Sequence, residues 1–172
     1  MKKVVILSLT LILVLSIQAQ TKTFDCGLFS LSYPSKYKNS TISNAKHMVL
    51  KLECDEETYL CASYWDYKIP EYVSIWDDEI YELYSHLKMQ DAEVVSVEKS
   101  TINIESGIRK CLKIKTNTQT PIMDSNLKSK TILYLMIHKG FLINFVIGTS
   151  GNYRASSSTQ KEDSMLKGLK FK

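Results

Sequence analysis

The sequence predicts an α+β fold: a mainly antiparallel β-sheet flanked by helices on both faces, an α/β/α sandwich. Three observations lead there. Apolar residues recur at every second position through much of the chain, which is the period of half-buried strands. From about Ser74 to Gln90 the spacing becomes helical instead, leaving one apolar stripe. Finally, Ile132 to Ile137 and Phe141 to Ile147 are apolar at nearly every position. Both faces of the sheet must be covered where those runs lie, so a second layer is required.

In chain order, Phe24 to Tyr33 is strand-like, with apolar residues at 24, 26 and 28 and then at 29, 31 and 33. The phase flips beside Gly27, as a β-bulge or tight turn makes it. Pro34 closes this strand and residues 35–46 read as a polar loop. Met48, Leu50, Leu52 and Cys54 alternate with polar neighbours and Val49, and Tyr59 to Trp65 alternates again after the acidic turn Asp55-Glu56-Glu57-Thr58. That is a hairpin. In the helical segment Trp76, Ile80, Leu83, Tyr84 and Leu87 form the apolar stripe. Ser74 with Asp77 makes a capping-box pattern, Asp77, Asp78 and Glu79 suit the positive end of the dipole, and His86 and Lys88 suit the negative end.

Val95 to Ile104 and Ile108 to Lys115 alternate around the turn Glu105-Ser106-Gly107, and residues 117–130 read as a loop. His138-Lys139-Gly140 then joins the two most apolar strands in a glycine-bearing turn. The covering layer falls to the C-terminal segment, where Thr159 and Glu162 form a capping pattern ahead of Met165, Leu166 and Leu169. A second helix there completes the sandwich.

The 172 residues divide into a signal peptide, 1–19, and a single domain, 20–172. Lys2 and Lys3 precede an apolar run from Val4 to Leu15, and Ala19 supplies the small residue before cleavage. The run is too short to cross a bilayer, which takes roughly 20 apolar residues. The mature chain is therefore expected outside the cytoplasm, periplasmic or secreted, without a transmembrane segment. Of the formal charge of +4, Lys2 and Lys3 carry two, leaving +2 on the domain, which gives no reason to expect nucleic acid as a partner.

Cys26, Cys54, Cys61 and Cys111 are an even set in an oxidising-permissive compartment and allow three pairings. Cys54 with Cys61 is the favoured one, because the acidic turn brings them close across the hairpin. A loop that short contributes about 2.5 kcal/mol. Small buried thiols are the alternative reading.

Two local strings resemble the PsbP-like superfamily. The opening Phe29-Ser30-Leu31-Ser32-Tyr33-Pro34-Ser35-Lys36-Tyr37 is similar to that family's aromatic-strand, Tyr-Pro-Ser start, with Tyr37 where the family usually has Trp. The close is similar as well: the Lys139-Gly140 turn, a strand ending Gly148-Thr149-Ser150, a polar segment and Leu169-Lys170-Phe171. The resemblance spans residues 29–171 and implies a docking or assembly role, with no named partner. No functional residue of the photosynthetic subunit that gives the family its name can be matched here.

The residues themselves point away from catalysis. A nucleophile needs an adjacent base, and a zinc site needs three or four ligands at supporting spacing. Neither pattern is found, nor is a cofactor motif. His47, His86 and His138 sit at a loop edge, a helix end and a turn, and the helix dipole accounts for Asp77-Asp78-Glu79. The aromatic crowding of Tyr59, Tyr64, Trp65, Tyr67, Tyr72 and Trp76 is the feature that stands out. Aromatics supply buried area with a polar handle at binding surfaces. Trp76 belongs to the helix stripe; Tyr64, Trp65, Tyr67 and Tyr72 are the candidate binding residues. The expected function is a non-enzymatic binding module for a protein partner, with a carrier of an apolar small ligand as the second reading and a hydrolytic enzyme as the third.

Overall fold

The computed structural model describes residues 20–41, 48–55, 58–65, 68–86, 92–122, 125–150 and 164–172. Two antiparallel sheets pack face to face. The smaller contains β1 (Thr21–Asp25), β2 (Phe29–Pro34) and β10 (Leu169–Phe171), in the order β1-β2-β10. The larger contains β3 (Lys38–Asn39), β4 (Met48–Glu53), β5 (Thr58–Trp65), β6 (Ala92–Ile104), β7 (Gly107–Ile122), β8 (Ser125–His138) and β9 (Phe141–Ser150), ordered β3-β4-β5-β9-β8-β7-β6. One helix of more than a turn, α1 (Asp78–Ser85), lies among the described residues. No helix there is long and apolar enough to cross a membrane. Residues 1–19, read as a signal peptide, lie outside the described residues.

Alternation in the sequence becomes alternation in burial. Phe29, Leu31 and Tyr33 of β2 are buried, while Ser30, Ser32 and Pro34 between them are half-buried. The Phe29 ring meets Phe145 of β9 edge-on at 5.1 Å, so the small sheet sits directly on the large one. Leu50, Leu60, Tyr134, Met136, Ile143 and Leu169 complete this main core. Each such side chain, fully buried, contributes about 1.5–3 kcal/mol. On the other face of the large sheet, Ile75, Trp76, Ile80, Tyr81 and Tyr84 pack against Leu112, Ile114, Leu135 and Leu142. The phase flip at Gly27 is a tight turn between β1 and β2, with Gly27 at φ 86.

The α/β/α sandwich is overturned. Both faces of the large sheet are covered, but a helix covers only one of them; the other carries the three-stranded sheet. The segment expected as the second helix is helical only at Ser164 and Met165 among the described residues, then turns through 166–168 into β10. Thr159 and Glu162 lie outside the described residues. Leu169 and Phe171 pair with Leu31 and Phe29. Three residues of alternation are too few to announce a strand, and the partner that makes them one comes from the other end of the chain.

Smaller differences have local causes. The helix starts at Asp78, not Ser74, because the Ser74 backbone N–H donates to the Asp77 carboxylate and the Trp76 N–H donates to the Ser74 hydroxyl, holding a separate turn ahead of it. Leu83, expected in the stripe, is exposed, and Tyr81 takes its place against the sheet. Leu87 and Lys88 lie outside the described residues. The loop expected at 117–130 is instead the far end of the β7–β8 ladder, which runs out to Ile122↔Ser125.

Candidate functional site

The β7–β8 ladder ends in the other direction at Leu112↔Leu135. Beyond that pair the two strands bond only outward: β7 continues with β6 to Gly107 and β8 continues with β9 to His138. Two hairpins therefore splay apart, and the large sheet forks. A cleft of about 440 Å³ occupies the fork, walled by Ile108 to Lys110 on β7, Met136 to His138 on β8, the Lys139-Gly140 turn and the loop before α1.

Local chemistry holds this opening in place. Lys139 and Gly140 have φ 50 and 77, the left-handed pair that a tight two-residue hairpin turn requires. Ile69 N–H donates to the Gly140 carbonyl at 2.6 Å, which ties the loop to the turn. Trp76 Nε1–H donates to the Cys111 carbonyl at 3.0 Å, so a side chain satisfies a backbone acceptor at the point where the ladder has stopped. From the other sheet, the Phe171 ring lies 4.7 Å from the His138 ring and 5.5 Å from the Arg109 guanidinium. His138 Nε2 also bonds the Lys172 carbonyl oxygen at 2.7 Å.

Cations dominate the cleft. Arg109, Lys110 and Lys139 line it together with the His138 ring and one carboxylate, that of Glu71. Lys110 Nζ stands 4.7 Å above the Trp76 ring. Arg109 Nε is enclosed and has no hydrogen-bond partner among the described residues, a condition that costs on the order of 1–3 kcal/mol for a buried donor. The sequence held a sign of this site. Arg109 and Arg154 are the only arginines among the 22 basic residues, and arginine in a lysine-rich chain marks a place where a planar fork of donors matters.

The predicted aromatic residues do not form one patch. Tyr64 turns toward the main core, edge-on to Phe141 at 6.0 Å. Its neighbour Trp65, pointing to the other face as consecutive strand residues do, is 45% exposed. Tyr72 is 87% exposed on the loop, between the cleft-lining Glu71 and Val73. Tyr67 lies outside the described residues.

The Cys54–Cys61 bridge is not made; all four cysteines carry thiols. The reason is register. Cys61 stands opposite Lys51, three positions along from Cys54, and an odd offset places the two side chains on opposite faces. Burial pushes the Cys61 thiol pKa up.

The acidic run does local work. Asp77 holds the Ser74 N–H, and Asp78 accepts from Lys99 Nζ at 2.6 Å. That hydrogen bond, and then the lysine charge, hold the Asp78 carboxyl below its ordinary value. No group of three or more His, Cys, Asp or Glu suited to a metal ion lies among the described residues.

No protein-family model matches this chain, and no curated protein matches it. Among solved structures, it is similar to a protein from Bacteroides thetaiotaomicron VPI-5482, with a TM-score of 0.54 and 11% identity. The match covers 91% of this chain and 49% of that one, so this chain spans about half the length of its structural neighbour. At that identity the likeness is one of fold alone.

Proposed function

We propose that this chain is an exported, non-enzymatic binding module that docks on a protein partner at the forked end of its larger sheet. The observation that carries the reading is the pair of large apolar side chains beside the cleft. Tyr72 is 87% exposed and Ile108 is 74% exposed. Apolar groups left in water beside a concavity with converging polar groups suit a partner that covers them. The charged start and apolar run of residues 1–19 support export, and the PsbP-like resemblance implies docking in preference to catalysis. A carrier of an apolar ligand would need a closed apolar cavity, whereas this cleft is open and ringed by cations.

The test is an in-cell crosslinking pull-down of the tagged protein beside a Tyr72→Ala, Ile108→Ser variant shown by circular dichroism to be folded. The expected result is a specific protein captured by the wild type and lost with the variant. Equal capture by both, or capture by neither, would remove the reading.

A further inference from the structure

We infer that the fork takes the C-terminal carboxylate of an extended peptide segment, with Arg109 as its anchoring cation. This rests on the docking reading above and names the chemistry of what docks.

Charge is the first observation. Arg109, Lys110 and Lys139 line the cleft, and none has an ion-pair partner among the described residues. Elsewhere on the two sheets Lys38, Lys99, Lys115, Lys170 and Lys172 each hold a carboxylate. Three cations around one cavity, against the single acid Glu71, give it positive potential.

The second observation concerns the kind of anion. Arg109 keeps an enclosed Nε with no acceptor, and its guanidinium rests over the Phe171 ring. A guanidinium is a planar fork of donors that matches the two oxygens of a carboxylate.

The third concerns what carries the carboxylate. Residues 108–111 of β7 and 136–138 of β8 face the fork without pairing to each other. An extended chain end supplies strand-like backbone groups to such edges together with its terminal charge, as strand addition and carboxylate capture do elsewhere. Ile108 and Ile137 on the walls suit an apolar last side chain.

The experiment incubates the immobilised full chain with a random hexapeptide pool bearing free C-termini and with the same pool amidated, and reads the retained peptide by mass spectrometry. At least ten-fold more of the free pool is expected on the wild type. Arg109→Gln should bring it down to the amidated level, and Arg109→Lys should restore part of the difference. Lys139→Gln, at an exposed turn position, should lower retention about three-fold and serves if Arg109→Gln does not fold; unchanged retention there overturns the inference.

Equal retention of the two pools, or no retention of either, also overturns it. So does selective retention of amidated peptides with internal Asp or Glu, which would name a side-chain carboxylate, and so does stronger competition by inorganic phosphate than by acetate. A protein partner lost with Tyr72→Ala, Ile108→Ser but indifferent to Arg109→Gln would leave the docking reading standing without this one.

Discussion

Arg109 and His138 occupy positions that would face each other if the β7–β8 register continued past Leu112↔Leu135, yet the ladder has already ended and both residues touch the ring of Phe171 instead. One side of the fork in the large sheet is thus walled by the chain's own C-terminal strand, which is held in place by pairing with β2.

Removing the ring tests this construction. Phe171→Ala deletes both ring contacts and part of the apolar cover over the fork. Because Phe171 is half-buried, the expected loss is about 1–3 kcal/mol, below that of a fully enclosed phenylalanine. Urea unfolding measures it, and amide exchange should quicken at Arg109, Lys110 and His138 more than in β4 or β5. A variant as stable as wild type, with unchanged exchange at those residues, would mean that the ring does not hold the fork.

Two glycines separate a soft contact from a hard one. A Cβ on Gly148 would run into the ring of Tyr59, its cross-strand partner, and one on Gly168 would run into the backbone carbonyl of Ser32. Tyr59 is half-exposed and its ring can swing aside. The Ser32 carbonyl belongs to β2, and the Ser32 N–H donates to the Gly168 carbonyl at 3.0 Å, which fixes the two backbones against each other. Gly148→Ala should therefore cost less than about 1 kcal/mol, and Gly168→Ala about 2–3 kcal/mol, in the range of forced backbone shifts. Thermal unfolding of the two variants decides it; a larger loss at Gly148 would reverse the argument.

The residues explain how much of this was legible. Strands that bury one face announce themselves, so β2, β4, β5, β6 and the first half of β7 follow from alternation, while β9 follows from its continuous apolar run. The far end of the β7–β8 ladder does not, because Thr116 to Thr120 offer a run of polar residues with no apolar phase to read. β10 is set by a partner far away in the chain, and no window around Leu169 contains that information. For the candidate site, the aromatic crowding included Tyr72, which stands on the loop beside the cleft. It also included Tyr64, which packs toward the main core. The cleft itself arises where pairing stops between two hairpins, and a break in long-range pairing leaves no local signature except the isolated arginine at its edge.

Acid should weaken the protein through its exposed ion pairs. Asp25 is held below its ordinary 3.8 chiefly by the hydrogen bond from Lys172 and then by the Gly27 backbone N–H. Glu98 is held below 4.5 by hydrogen bonds from Lys115 and then Ser96. Asp78 is lowered by Lys99. A folded-state value below the unfolded one means that the stabilising contribution is complete above the unfolded pKa and is lost as pH falls through the folded one. The urea midpoint should accordingly be flat from about pH 8 to pH 5 and decline below about pH 4, by a small amount because the pairs are solvated. Asp25→Asn should decline less steeply than wild type; parallel curves down to pH 2 would show that this pair contributes nothing.

The thiols give a chemical test of the sheet register. With Cys61 opposite Lys51 and turned away from the face that Cys54 uses, oxidation to an intramolecular bridge requires the β4–β5 hairpin to come apart. Unreduced protein, denatured and alkylated, should therefore show four labelled cysteines by mass spectrometry. In the folded state Cys61 should label slowly even at pH 8, because burial raises its pKa and the thiolate is the reacting species, and Cys111, fully buried at 0% exposure, should label only as the protein opens. Substoichiometric urea should speed Cys111 labelling along with global unfolding. Only two labelled cysteines, with Cys54 and Cys61 in one crosslinked peptide, would show that the hairpin pairs in a different register.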